Sequence, residues 1–375
     1  MVKIESFEAE RTSLGFDLQP TDEQRALTQT LATFAAEILR PAARDAEAAG
    51  RTPEAIARQI HEIGVAAPVA EAYGGGGTFD AVTYCMAAEE LAWGDPAIAY
   101  QALGGGLAAL VIGRAGTDEQ KASHLPVFTE AAPGMSFVAV AEKVAAGDLE
   151  SLETVVDGAK VTGRKYGVLD AEGAGVGIVV GRSLDGELAA AIVTPESYEI
   201  VKPEDKLGLE AAPTWVVDFE GSGEALAPGP ELQQTLLLAK LMTGAIALGC
   251  ARASLEYAAR YATEREAFGK PIGAFQGISF KIADMAIAVD AARAALWRTA
   301  WHIDRGTATL ADAAEANGQC VAAAVLCGDD GVQVLGGHGF VTDHPSEMWF
   351  RDAVTLSVLD SPELVGDVMV ARSVF

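Results

Sequence analysis

Positive charge is scarce in this chain: 27 Lys and Arg stand against 53 Asp and Glu, for a formal net charge of -26. That balance argues against a nucleic-acid partner, because phosphate binding needs clustered cations to displace counterions. A single anionic ligand held by a few local cations remains compatible with it. Cysteine is sparse as well. The four residues Cys85, Cys250, Cys320 and Cys327 show no short metal-ligand spacing, so buried thiols are expected, with no metal centre. A reducing, cytoplasmic setting fits them. The N-terminus lacks the basic segment and apolar run of an export signal. Long hydrophobic runs are missing too: the run at 236–238 is interrupted by Lys240, and no membrane span is expected.

What is present suits a folded protein with a large core. The chain has 375 residues, half of them apolar, enough for two or three domains. Thr21-Asp22-Glu23-Gln24 has the form of a capping box, and Leu27, Leu31, Phe34, Ala35 and Ile38 follow on one helical stripe that Pro41 should end. Further helical patterns cover 53–63, 79–93 and 97–112, and Thr117 with Gln120 caps another short helix. Together they predict a helical domain over 1–132.

Periodicity then shortens. Apolar and β-branched runs at 137–141, 154–161, 175–180, 189–193 and 214–219, divided by Gly, Pro and Asp, predict a small sheet domain over 133–228. Helical patterns return at 231–263, 272–306, 310–335 and after Pro362, predicting a four-helix bundle and assembly surface over 229–375. The class is α+β, and a cleft where the three units meet is an ordinary place for a small molecule.

Two motifs say more. The segment Arg265-Glu266-Ala267-Phe268-Gly269-Lys270-Pro271-Ile272 with Phe275-Gln276, and Gln333-Val334-Leu335-Gly336-Gly337-His338-Gly339-Phe340 with Pro345 and Arg351-Asp352, resemble signatures of the acyl-CoA dehydrogenase family. Glu71-Ala72-Tyr73-Gly74-Gly75 and Ala88-Glu89-Glu90-Leu91 match in order. The resemblance spans nearly all of the chain beyond the first 15 residues. It implies the helix–sheet–helix fold, FAD as cofactor, an acyl-CoA substrate desaturated to a trans-2-enoyl-CoA, and an electron-transfer acceptor. It also implies that Arg265, Phe268, Gln333, Gly336 and Gly337 reach the adenosine-pyrophosphate part of FAD bound mainly by a neighbouring subunit. Their chemistry suits that role: a forked cation, an amide that donates and accepts, and glycines that permit close backbone approach.

The sequence departs from the family on the other half of the site. Where the family has Thr-Glu-Pro and Gly-Ser-Asp, this chain has Ala141-Glu142-Lys143 and Ala146-Gly147-Asp148. Where it has Gly-x-Lys-x-Trp-x-Thr/Ser, this chain has Gly163-Arg164-Lys165-Tyr166-Gly167-Val168-Leu169, so an aromatic platform and a hydroxyl are gone. Tyr166 should point to the opposite strand face if the register is regular. The family's usual Glu base corresponds to Asp360, followed by Ser361; the base of another branch corresponds to Ala239. Groups serving the chain's own FAD are altered while groups reaching a neighbour's are kept. This pattern resembles the supporting subunit of bacterial heteromeric members, which pairs with a catalytically intact homologue in a heterotetramer and shares FAD at the interface. The alternatives are a self-sufficient homotetramer with Asp360 as base and a redox-inactive binding homologue.

Overall fold

The computed structural model describes residues 19–130, 135–143, 148–359 and 362–374. Thr21 opens the first helix: its hydroxyl accepts from the Gln24 amide at 3.1 Å, and the Gln24 side chain accepts from the Thr21 amide at 2.9 Å. Helix α1 (Asp22–Phe34) does not stop before Pro41. It widens into a π turn (Ala35–Leu39) and continues as α2 (Arg40–Ala49), ending at Gly50. In a regular helix the ring of Pro41 would strike the carbonyl four residues back. Here Arg40 N–H reaches five residues back to Ala35, and the wider turn makes room for the ring.

Helix α3 (Glu54–Ile63) follows Pro53 and stops at Gly64. Asp80 caps α4 (Ala81–Gly94), Asp95 caps α5 (Pro96–Ala115), and a second capping box, Thr117 with Gln120, starts α6 (Asp118–His124).

The sheet has eight strands: β1 (Met135–Ala139), β2 (Val155–Asp157), β3 (Lys160–Leu169), β4 (Ala174–Arg182), β5 (Leu188–Val193), β6 (Tyr198–Pro203), β7 (Thr214–Ser222) and β8 (Glu224–Ala225). Its order is β6-β7-β3-β2-β4-β5-β8, with β1 parallel to β4. The stretch 154–161 is not one strand, as its composition suggests, but the turn of a hairpin joining β2 to β3 through Gly158. Alternation along β4 serves two cores. Val176, Ile178 and Val180 join the helices, while Val179 joins Phe137, Val161, Val217 and Phe219 on the other face.

The second helical unit contains α7 (Pro230–Glu264), a small ribbon of β9 (Glu266–Ala267) and β10 (Lys270–Pro271), α8 (Gln276–Asp304), α9 (Leu310–Leu335), α10 (Ser346–Val358) and α11 (Pro362–Val374). Helix α10 has no counterpart in the sequence-based expectation. The expected helix at 272–306 begins later, after a short 3-10 turn at Ile272–Ala274. The result is an α+β architecture of helices, mixed sheet and helical bundle. Pro96–Ala115, Pro230–Glu264 and Leu310–Phe340 are, by length and composition, apolar enough to cross a membrane, which the interrupted run at 236–238 had not suggested. Their apolar windows are 72%, 89% and 61% buried inside the fold, so most of that surface meets protein.

Candidate functional site

A pocket forms where α5, the ends of β1 and β3, and α7 converge. Tyr100 and Gly104 come from α5, Ala141 follows β1, Tyr166, Gly167 and Leu169 come from β3, and Ala239 and Lys240 come from α7. Leu359 closes one side. The cavity is about 70 Å³, well under the roughly 300–1,000 Å³ of ordinary small-molecule sites. Leu169 accounts for part of the filling, since a Cβ on Gly104 would lie 2.4 Å from its Cδ2.

The β3 wall is irregular. Pairing with β7 shifts register between Lys165 and Val168, and Gly167 takes φ 62. A left-handed residue inside a strand is a glycine's role, and the resulting bulge re-aims its neighbours. Tyr166 therefore lines the pocket with Gly167 and Leu169, contrary to the regular-register expectation. The sequence signal was the glycine inside the strand pattern. The Gly167 amide donates to Glu204 Oε2 at 2.8 Å.

Behind this wall, Lys165 is fully buried. Its ammonium donates to the Val140 carbonyl at 2.8 Å and pairs with Glu142 Oε1 at 2.7 Å. Glu142 also accepts from the amides of Glu153 and Thr154 at 2.6 and 2.9 Å. Burial acts to raise the Glu142 carboxyl, but the Lys165 hydrogen bond and charge outweigh it and hold it below the usual range. The pair fixes the end of β1 to β3 and so shapes the pocket wall.

Asp360 lies outside the described residues, as do Ala146 and Gly147. Ala239, the other position where relatives of the family draw a base, carries no titratable group. Glu256 is engaged by Trp93 Nε1 at 2.8 Å, and Glu266 sits on the exposed β9 ribbon; neither lines the pocket. A wider cleft of about 820 Å³ adjoins, with Leu149 lining both. Its lining carries Arg182 against Glu150, Asp185 and Glu187, and Arg182 is occupied by the Leu149 and Gly186 carbonyls. That charge pattern is poorly matched to a polyphosphate.

The second place lies outside the pocket. Arg265 ends α7, its amide bonded to the Tyr261 carbonyl at 2.8 Å, and the Tyr261 hydroxyl lies 2.8 Å from His338 Nδ1. These bonds bring the 265–275 and 333–340 motifs together. Arg265, Gln333 and Gly337 are all exposed there. Phe268 is 97% exposed at φ 53, its ring edge-to-face with Phe275 at 6.2 Å. A bare phenylalanine in a left-handed conformation costs stability twice over, which points to a use outside the chain's own core. Gly336 adopts φ 60, ψ -133, a conformation readily available only to glycine. An outward cation, a turn of accessible backbone and an aromatic edge suit a phosphate-bearing cofactor held from outside. The inner pocket, without hydroxyls at 141 and 169 and with little space, does not suit an isoalloxazine in this conformation.

Comparison with known proteins agrees with the order of helices, sheet and helical bundle. Residues 21–131 match the N-terminal domain model of acyl-CoA dehydrogenases, and residues 231–372 match the C-terminal domain model. The chain belongs to the acyl-CoA dehydrogenase family. It is 33% identical over 362 residues to benzylmalonyl-CoA dehydrogenase of Aromatoleum aromaticum, covering 90% of this chain and 94% of that protein. It is 30% identical over 370 residues to the mitochondrial short-chain specific acyl-CoA dehydrogenase of Bos taurus, covering 93% and 89%. Among solved structures, butyryl-CoA dehydrogenase from Megasphaera elsdenii superposes with a TM-score of 0.84 at 25% identity, covering 96% of this chain and all of that one. A glutaryl-CoA dehydrogenase in complex with glutaryl-CoA superposes with a TM-score of 0.83 at 25% identity, covering 95% and 96%.

Proposed function

We propose that this acyl-CoA dehydrogenase family chain is the supporting subunit of a heteromeric, FAD-dependent complex in the cytoplasm. The complex would desaturate an acyl-CoA thioester to the trans-2-enoyl-CoA, with bulky or sterol-derived acyl groups as the first substrates to test. FAD supplies the hydride acceptor, and an electron-transfer protein reoxidises it. This chain's contribution is the outward face: Arg265 pairs with pyrophosphate, Gln333 and the Gly336-Gly337 backbone hydrogen-bond the adenosine side, and Phe268 packs beside it. A homologous, catalytically intact subunit holds the rest of the cofactor. The observation that carries this reading is the contrast between a small, side-chain-filled inner pocket and the exposed Arg265–Phe268–Gln333 surface. The test is expression alone and with a homologous partner, followed by flavin content and acyl-CoA-dependent dye reduction. Full flavin loading and equal turnover in the isolated chain would overturn it.

One observation favours a second reading. Tyr166 is turned into the pocket by the Gly167 bulge and could replace the missing aromatic platform of a self-sufficient enzyme with Asp360 as base. In that case Asp360→Asn abolishes flavin reduction by acyl-CoA while FAD stays bound. Unchanged reduction excludes it.

A further inference from the structure

Another cavity, of about 210 Å³, opens between α2, the end of α4 and the turn at 342–345 that leads into α10. Arg40, Arg44, Thr342, Asp343 and Trp349 line it, and the residues of the outward face described above do not. Two donors on these residues are buried and have no hydrogen-bond partner among the described residues: Arg40 Nε and Trp349 Nε1. Trp349 as a whole is 1% exposed. We propose that this cavity is a binding site for a phosphate group, gripped by the Arg40 guanidinium and the Trp349 indole N–H. The site is independent of how the outward face is used.

Local sequence puts the cation there. The π turn that absorbs Pro41 ends at Arg40, and such turns recur at functional sites. Gly94 lets α4 come close to that turn, since a Cβ on it would lie 2.8 Å from Leu39 Cβ. Trp93 then stacks on the guanidinium, with Arg40 Cζ 3.7 Å from its ring centroid, and the Trp349 ring lies 4.8 Å from the same carbon. One Arg40 Nη donates to the Trp93 carbonyl. Arg44 is held by Glu47 and Glu347, whereas Arg40 has no ion-pair partner among the described residues.

Those facts define the ligand. A buried donor left unpaired costs about 1–3 kcal/mol, and more when it is charged, so acceptors are wanted at both nitrogens. Burial pulls the Arg40 guanidinium down to about 10, against the pull of Glu256 and Asp95, and it therefore stays charged at neutral pH. An unpaired cation beside two orphan donors calls for an anion, and the guanidinium fork matches oxyanions. Donors come from three elements: Arg40 from α2, Trp349 from α10 and the Thr342 hydroxyl from the turn. That spread suits tetrahedral phosphate oxygens better than a planar carboxylate. Asp343 is a lining group that opposes an anion.

The experiment titrates the purified full-length chain calorimetrically at constant ionic strength, with inorganic phosphate, glycerol phosphate and acetate as probes. Saturable phosphate binding at a single site per chain is expected, with acetate weaker by about tenfold or more. The tighter of the two phosphates tells a free ion from a phosphate carried on a larger molecule. Arg40→Lys keeps the charge but loses the fork, and should weaken phosphate binding by about tenfold or more. Trp349→Phe removes the indole donor and should weaken it as well. Asp343→Asn should tighten binding about two- to fivefold, a sign that mere disturbance of the turn would not produce. Circular dichroism checks the fold of each variant; if either core substitution unfolds, wild type and Asp343→Asn still decide the matter. No saturable phosphate binding by wild type overturns the site and leaves both donors to water. Acetate binding as tightly as phosphate overturns the choice of ligand, and unchanged affinity in folded Arg40→Lys overturns the role of Arg40.

Discussion

At Asp170 burial and backbone conformation act on the same side chain. The residue takes φ 50 between β3 and β4, and burial pushes its carboxyl up to about 6, only partly opposed by the Gln101 amide at 2.7 Å. A carboxyl raised in the folded state favours folding most below its unfolded value. That contribution is lost as pH rises through about 6. Asp170→Asn keeps an acceptor for Gln101 and tolerates the left-handed backbone, yet cannot ionise. It should stabilise the protein by about 1–3 kcal/mol at neutral pH and change little below about pH 4. Urea titrations at the two pH values measure this, and equal stabilities at neutral pH would count against it. The Glu142–Lys165 pair behaves in the opposite sense. Because the pair is buried, Lys165→Met strands a carboxylate, and a loss of about 3–5 kcal/mol is expected. A loss below about 1 kcal/mol, typical of a solvated pair, would show that water reaches Glu142.

At the scale of the element, Gly167 offers the clearest test. A Cβ there would meet only Leu359 Cδ2, at 3.6 Å, so space is not the obstacle; φ 62 is. Gly167→Ala should therefore cost about 1–2 kcal/mol, the ordinary penalty for an L-residue in the left-handed region. Thermal unfolding reads this directly, and no loss would mean the bulge relaxes into a regular strand. The bulge also marks where the sequence ceased to be legible. Helices with polar caps could be read closely: Thr21 and Thr117 each close the expected capping box, and α9 covers the expected 310–335, where the structure adds a third box at Thr309. Local chemistry sets those boundaries. Pro41 misled because a π turn, invisible in periodicity, absorbs the ring, and the hairpin at Gly158 was hidden inside one β-branched run. Helix α10 was missed although its Trp349 and Leu356 are buried; it follows the glycine-rich motif so closely that the motif dominated the segment. On the proposed outward face, Arg265 and Gln333 were legible as motif residues. The orientation of Tyr166 was misread because regular alternation was assumed, although Gly167 inside the strand pattern signals the bulge that turns it.

At the scale of the whole molecule, charge and apolar surface pull against each other. A chain with a net charge of -26 repels a copy of itself, yet the second helical unit exposes Phe280 at 61% and Ile287 at 67% on one face of α8, two turns apart. Phe268 and Phe340 are exposed on the same unit. Large exposed apolar side chains in one region mark a surface that other protein covers. Burying them must offset the repulsion between copies. Self-association of the isolated chain should therefore strengthen as salt rises through the screening range near about 0.15 M. Phe280→Glu combined with Ile287→Glu should abolish it, together with association with the proposed homologous subunit, because it adds charge where apolar contact is needed. Light scattering reports the assembly, and far-UV circular dichroism should show the helical content preserved, since neither side chain is buried in the fold. If the double variant still assembles with its partner at unchanged affinity, α8 is not the contact surface, and the burden moves to the Phe268 and Phe340 edge.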